Sequence, residues 1–287
     1  MLNYNFKRIL FIVQLATFAV LVGRGYQFIF WDAPYRALFF DEALLSPIIN
    51  LTGSSWKDVV TNLEYDKAIE QFIRINGYFY LLSAAIVFLY DRVGVQWRKL
   101  LLLASVNLVI LSILYCKEQF NTPAQFFEHS LQFGSPVLLY YLLRYKQADN
   151  RWQWLAVIFI ALTFCSHGLY AINLYPIPVE FTNMTMAILH CDESFARIFL
   201  MTVGIIDVVG SIVIFMQNKF SSAMLLWFSL WGFLTLFARL WANWDVQNMG
   251  AVLHQYFFEA VLRLPHALIP LALYYSRCAG STFLQRG

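Results

Sequence analysis

Residues 195–216 read FARIFLMTVGIIDVVGSIVIFM, a run of 22 residues in which only Arg197 and Asp207 are ionisable. At about 1.5 Å of rise per residue the run makes a helix of roughly 33 Å, enough to cross the ~30 Å hydrocarbon core of a bilayer. Its two charges are as informative as its apolar residues. A charge inside hydrocarbon persists where it pairs, faces a wet cavity or takes part in chemistry. The stretch therefore predicts a membrane span and, beside it, an interior that holds polar groups.

The rest of the chain has the same character. Of 287 residues, 60% are hydrophobic, 18% aromatic and 13% charged, where a soluble domain carries about 25% charged residues. Spans are predicted near residues 9–31, 71–90, 99–116, 126–143, 152–174, 195–216, 221–243 and 253–275. The expected fold is an all-α polytopic transmembrane helix bundle of eight spans. The first run follows Lys7 and Arg8, as in a signal peptide. It leads into Gly23-Arg24-Gly25-Tyr26 and not into a small-x-small cleavage site, so it is expected to stay as a span. The net charge of +3 is scattered over loops without forming one basic face. The expected partner is membrane lipid, and no nucleic-acid partner is expected. The four cysteines lack C-x-x-C spacing, which argues against a dithiol centre or a thiolate metal site. A disulfide between Cys116 and Cys191, near one membrane face, is an open alternative to free thiols.

Loop charge sets the orientation. One group of loops holds Lys7, Arg8, Arg92, Arg98, Lys99, Arg144, Lys146, Arg151, Lys219, Arg277 and Arg286 against Asp91 and Asp149. The other holds most of the acids, from Asp32, Asp41 and Glu42 to Glu180, Asp192, Glu193 and Asp245. Excess Lys and Arg marks the cytoplasmic side, so both termini are expected in the cytoplasm, as eight spans require. With that orientation Arg24, Arg74, Asn76, Glu128, His129, His167, Arg197, Arg239, Glu259, Arg263 and His266 all fall in the outer half of the membrane. Asp207 reaches the midplane. The expectation is a set of helices splayed around a polar cavity that opens outward and is closed below.

The chain also repeats itself. Phe72-Ile73-Arg74-Ile75 opens the second span and Phe195-Ala196-Arg197-Ile198 the sixth. Phe126-Phe127-Glu128 opens the fourth and Phe257-Phe258-Glu259 the eighth. Arg24-Gly25 ends the first, and His167-Gly168 sits late in the fifth. Two four-helix units are expected, residues 1–146 and 152–278, related by a pseudo-twofold along the membrane normal. After the first span of each unit comes an amphipathic, proline-bearing stretch too short to span, read as an interfacial helix. Ser55 is a predicted N-cap of a helix that continues into the second span.

Each unit resembles the DoxX-like integral membrane family. The resemblance is carried by Ser166-His167-Gly168-Leu169-Tyr170, Tyr175-Pro176-Ile177-Pro178, Phe181-x-x-Met184, Gly204-Ile205-Ile206-Asp207 and Arg239. The second unit is the closer match; in the first, Arg24 stands where the second has His167. The resemblance implies a bacterial inner-membrane protein that works near quinone, as a component of an oxidoreductase complex, with a protein partner.

The residues themselves leave several roles open. Glu259 and Arg263 are four apart and are expected on one helix face, with Arg239 at similar depth. This Arg–Glu–Arg cluster is either a structural clamp or a ligand site that leaves one guanidinium for an anion or a quinone carbonyl. Glu128, His129 and Gln132 form the first-unit counterpart. His167 and Glu128 are the candidate proton-handling, catalytic residues. Arg239, Glu259, Arg263, Arg24, His129 and Asp207 are the candidate ligand-binding residues, and no metal ligands are expected. Asp207 is met by Arg24 or Arg239, or is protonated. A haem needs paired axial histidines across the bundle, and no histidine pair has a spacing that favours one. Trp227, Trp231, Trp241 and Trp244 either fill the core or stack on a quinone. No Walker loop, G-x-S-x-G, H-E-x-x-H or dinucleotide fingerprint occurs. The leading expectation is a membrane component of a redox or cell-envelope complex with a ligand cavity. A non-catalytic anchor and a transporter coupled through Asp207 are the alternatives.

Overall fold

The computed structural model describes residues 4–284; Arg286, counted above among the basic loops, lies outside the described residues. In chain order the helices are α1 (Tyr4–Phe30), α2 (Arg36–Phe39), α3 (Glu42–Leu51), α4 (Trp56–Val60), α5 (Leu63–Leu89), α6 (Lys99–Glu118), α7 (Pro123–Phe127), α8 (Ser130–Tyr145), α9 (Asn150–Ala171), α10 (Val179–Leu189), α11 (Glu193–Val213), α12 (Lys219–Ala242), α13 (Met249–Val261) and α14 (Leu264–Leu284). No strand occurs among the described residues. Seven helical segments are long and apolar enough to cross a membrane, counting α13 and α14 together. The chain is therefore an integral membrane protein of the all-α, polytopic class. The fourth expected span is α8, of 16 residues. At about 24 Å by helical rise it is short for a full crossing.

Helix starts follow side-chain chemistry. Asp149, Asp192 and Asn218 accept the backbone N–H groups of Trp152, Phe195 and Ser221 and so begin α9, α11 and α12. Each removes one of the unpaired donors that every helix start carries. Ser55 forms a capping box with Asp58, but the helix it opens stops at Val60. Asn62 then caps α5 separately through Glu64, so the expected continuation into the second span is broken at Thr61-Asn62.

Two helices break at polar residues. Pro265 has no N–H to offer the carbonyl of Val261, so α13 ends there and α14 starts at Leu264. Between α7 and α8 the N–H of Leu131 goes to the Thr163 hydroxyl, 3.0 Å away, and not back along the helix. Glu128 and His129 sit in that break. Arg263 sits in the other.

The packing pattern recurs along the chain. Helix α1 lies against α5 as α9 lies against α11, and α6 against α8 as α12 against α14. Across the junction α1 meets α14 and α8 meets α9. Both first pairs cross at glycines. A Cβ on Gly25 or on Gly77 would lie 3.1 Å from the other's carbonyl oxygen. For Gly168 and Gly204 the distances are 2.7 and 2.9 Å. Only glycine permits that approach. Matching the two crossings sets Phe72 beside Phe199, one helical turn from the Phe195 that the sequence motif favours.

Polar groups in the interior are graded along the bundle. At the end where the basic loops gather they are hydroxyls and amides bonded to carbonyls, such as Gln14 to Val87 and Ser105 to Phe133. Arg277 is the exception, joining Ser221 and the carbonyl of Ile214 at that edge. Towards the acidic end lie Arg24, Glu128, His129, His167, Arg239, Arg263 and His266. Arg74 and Arg197 are at the same height but face outward, in surface pairs with Glu70 and Glu193. Facing lipid, α11 presents Ile198, Met201, Ile205, Val209 and Ile212, all exposed. Cys116 and Cys191 are free thiols; each turns to a threonine carbonyl, Thr122 and Thr185, so the disulfide alternative is set aside.

Candidate ligand-binding site

A cavity of about 360 Å³ lies within the second half, under α10 and between α11 and α12. Most of its wall is apolar, from Phe164, Phe181, Leu200, Val203 and Trp231. The polar groups that reach it are His167 from α9, Asp207 from α11, Arg239 from α12, Arg263 from the α13–α14 break and His266 from α14. The expected single polar cavity shared by both halves is replaced by a largely apolar one in the second half. In the first half the equivalent groups bond one another, and the cavity found there, about 220 Å³, lies nearer the acidic end beside Asp32, Arg36 and Arg74.

Arg239 is an ion-paired residue. Its Nη1 is 2.5 Å from Glu259 on α13 and 3.5 Å from Glu180 in the first turn of α10. Above it a second, polar cavity of about 320 Å³ is lined by Glu180, Asn183, Asn243, Tyr256 and Glu259, with Arg239 as its floor. Arg263 differs. The break at Pro265 takes it off the helical face of Glu259, so the expected Arg–Glu–Arg cluster is a single pair. Among the described residues the Arg263 side chain makes no hydrogen bond or ion pair, and it faces the cavity.

The imidazoles sit beside it. His167 Nε2 is 3.4 Å from His266 Nε2, and His167 Nδ1 is 3.6 Å from Glu128 Oε2. The Nδ1 atoms of both histidines are buried without a hydrogen-bond partner. Glu128 Oε1 accepts from Gln125 at 2.7 Å, and Gln125 Oε1 accepts from Tyr170 at 3.1 Å. A polar row thus runs from Tyr170 through Gln125, Glu128 and His167 to His266. Glu128 belongs to the first half by sequence and to the second-half site by contact.

Asp207 forms the deep end of the cavity. Its Oδ1 accepts from the Trp227 indole at 3.0 Å. No arginine reaches it; both expected partners are engaged nearer the acidic end. Trp227 stacks on Trp231, with ring centres 5.8 Å apart and planes 4° apart. Trp231 and Trp241 border the cavity; Trp241, like Trp244, is largely exposed.

Arg24 and His129 lie elsewhere. Arg24 is buried and donates to Gln27 at 2.6 Å, Gln132 at 2.6 Å and Tyr115 at 3.0 Å. His129 stacks flat on Tyr115, ring centres 5.1 Å apart, and bonds to the Gln125 carbonyl. The structure therefore brings together His167, Glu128, Arg239, Glu259, Arg263 and Asp207; His129 borders this group, its Nδ1 3.8 Å from Glu128, and Arg24 lies in a separate hydrogen-bonded network. His266 and Glu180 were missed as site residues. His266 had a signal, three residues past Arg263 on a polar stretch; Glu180 meets the site only through long-range packing. Trp227, expected as core filler or as a face for a quinone, enters as the donor to Asp207. The chain matches no family model, no curated protein and no solved structure.

Proposed function

We propose that this protein is a ligand-binding membrane component of a redox or cell-envelope complex, and that the second-half cavity takes a quinone-type amphiphile. In this scheme the acidic end faces the extracytoplasmic side. Arg263 holds the ligand's carbonyl or anionic group. His266 and His167 flank that group, and Glu128 supplies or removes a proton through His167. Arg239, held by Glu259 and Glu180, limits the top of the site, and Trp231 offers a flat face to a ring.

The observation that carries this reading is Arg263: a half-buried guanidinium bordering an apolar cavity and, among the described residues, without a hydrogen bond or ion pair. The carboxylates of Glu128, Glu259 and Glu180 act on it only from longer range. A membrane-level cation without a hydrogen-bond acceptor is unfavourable, and such residues mark sites where a cavity or a ligand completes them. Tryptophan fluorescence tests it. Titration with a decyl-chain benzoquinone in detergent should quench emission saturably, through Trp231 and Trp241 in the cavity wall. Arg263→Ala should weaken that binding, and Arg36→Ala, on the surface, should not. Linear, collisional quenching in the unaltered protein would contradict the assignment.

A second reading, docking of a partner protein, has its own support. Helix α3 has no buried residue and exposes Leu44, Ile48 and Leu51 at the acidic end. A chain that loses a co-purifying protein on Ile48→Glu, while quenching is unchanged, would act as anchor and binder at once.

A further inference from the structure

The cavity has two boundaries of different kind. At its top Arg239 stands between it and the polar cavity above, held by Glu259 and Glu180. At its side α11 and α12 stand apart. They meet at the basic end, where Gly210 approaches Phe228 and Met224, and where Arg277 ties Ser221 to the Ile214 carbonyl. Towards the acidic end the bridging element is α10, which touches both. Between these two joints the cavity is bordered by Leu234 and Phe237 of α12, with Leu189 at the end of α10 beside them, all exposed. Exposed leucine and phenylalanine at span height face hydrocarbon.

We propose that the ligand enters sideways from the bilayer, through the gap between α11 and α12 beneath α10, and that Arg239 seals the cavity from the aqueous side. This rests on the site proposed above. The ligand class is then a bilayer-resident, single-chain amphiphile with one polar head, and water-soluble solutes are excluded. The head travels along a row of polar groups, from Asp207 past His266 to Arg263. Trp227, which bonds Asp207, lies twelve residues from Arg239 on α12, roughly 18 Å of helix. A chain entering at this height keeps its tail in lipid while its head passes polar partners. A charged solute from above would have to displace Arg239 from two carboxylates and then cross an apolar wall, both costly.

The route is tested by paired accessibility in liposomes. With the four cysteines replaced, Val203→Cys places a thiol in the cavity and Asn183→Cys one in the polar cavity above. Val203→Cys should react with bilayer-partitioned pyrenyl maleimide at least ten-fold faster than Asn183→Cys does. With the charged, impermeant reagent MTSET the order should reverse. Adding Glu180→Gln and Glu259→Gln should free Arg239 and raise the MTSET rate at Val203→Cys about ten-fold. Leu200→Cys, on the same wall, serves if Val203→Cys does not assemble. An MTSET rate at the cavity thiol equal to that at Asn183→Cys would overturn the lateral route. So would no reaction with either reagent, which would mean a closed gap, and an MTSET rate unmoved by the double Gln change would overturn the seal. Lateral labelling with no saturable quinone quenching would sink the site assignment and leave the route standing.

Discussion

The two halves of this bundle handle the same difficulty in opposite ways. In the first, Arg24 is buried and its two terminal nitrogens are given three acceptors, Gln27, Gln132 and Tyr115, with only its Nε unpartnered, and His129 is stacked against the same tyrosine. In the second, the position late in the first helix is His167, and the corresponding cation is the half-buried Arg263, which is given no hydrogen-bond acceptor among the described residues and faces a cavity of about 360 Å³. The helix pairs and glycine crossings around them correspond. What differs is whether polar side chains close on one another or remain open to something else. A satisfied network stabilises and rigidifies; an unsatisfied one in an apolar cavity is conspicuous because it costs stability unless a ligand completes it.

That contrast can be broken by experiment. The largest effect should come from Arg24→Ala. It strands acceptors on Gln27 and Gln132 at about 1–3 kcal/mol each, while Tyr115 still accepts from Gln27. At roughly 2–4 °C per kcal/mol, thermal unfolding in detergent should fall by about 4 °C or more. Arg263→Ala should leave the midpoint unchanged or raise it. Equal losses in the two variants would erase the distinction between closed and open halves.

Ligand affinity should show the reverse pattern. Loss of a charge-assisted bond, about 1.5–3 kcal/mol, makes Arg263→Gln bind a decyl-chain benzoquinone roughly ten- to hundred-fold more weakly in the quenching titration. Arg24→Gln should change that affinity less than two-fold where the protein still assembles.

The glycine crossings should behave alike in both halves. Gly25→Val and Gly168→Val each drive a branched side chain into the facing helix, at about 1–3 kcal/mol. Unfolding midpoints of the two variants should drop together; tolerance of either would show that its helix pair is held by other contacts. Asp207→Asn should be milder. The amide oxygen still accepts from Trp227, so stability should stay within about 1 kcal/mol, while affinity reports whether the carboxylate meets the ligand.

The smallest effect lies outside the membrane, at the acidic end. The Lys117 ammonium, and then the Leu44 N–H, hold the Asp41 carboxyl below its ordinary value. A lowered folded value stabilises above the ordinary carboxylate range and is lost as pH falls through the lowered one. Hydrogen exchange in α3 should therefore quicken as pH drops below about 4, after correction for intrinsic rate, and Lys117→Gln should flatten that response.

The membrane class and the long helices were legible because hydrophobic length and loop charge are local properties of the chain. The gathering of polar groups toward one end was legible for the same reason, through the places of Arg24, His167 and Arg239 late in their helices. Which groups meet was less so. Glu259 and Arg263 share a face only in an unbroken helix, and Pro265, two residues further on, breaks it. The pairing of Asp207 with Trp227 joins two helices and leaves no local trace. Neither does the capture of Glu128 by His167, which takes a first-half residue into the second-half site. The open cavity depends on α10 lying over two splayed helices, and composition alone cannot distinguish that from a closed bundle.

In the proposed scheme the second half admits a bilayer-borne ligand and the first does not, a difference that electron cryomicroscopy of the protein in nanodiscs of native lipid would reveal. Elongated density is expected between α11 and α12, with its polar end within hydrogen-bond distance of Arg263 and none beside Arg24. Side chains of α10 to α12 closed upon an empty cavity, or ligand density beside Arg24 instead, would contradict it.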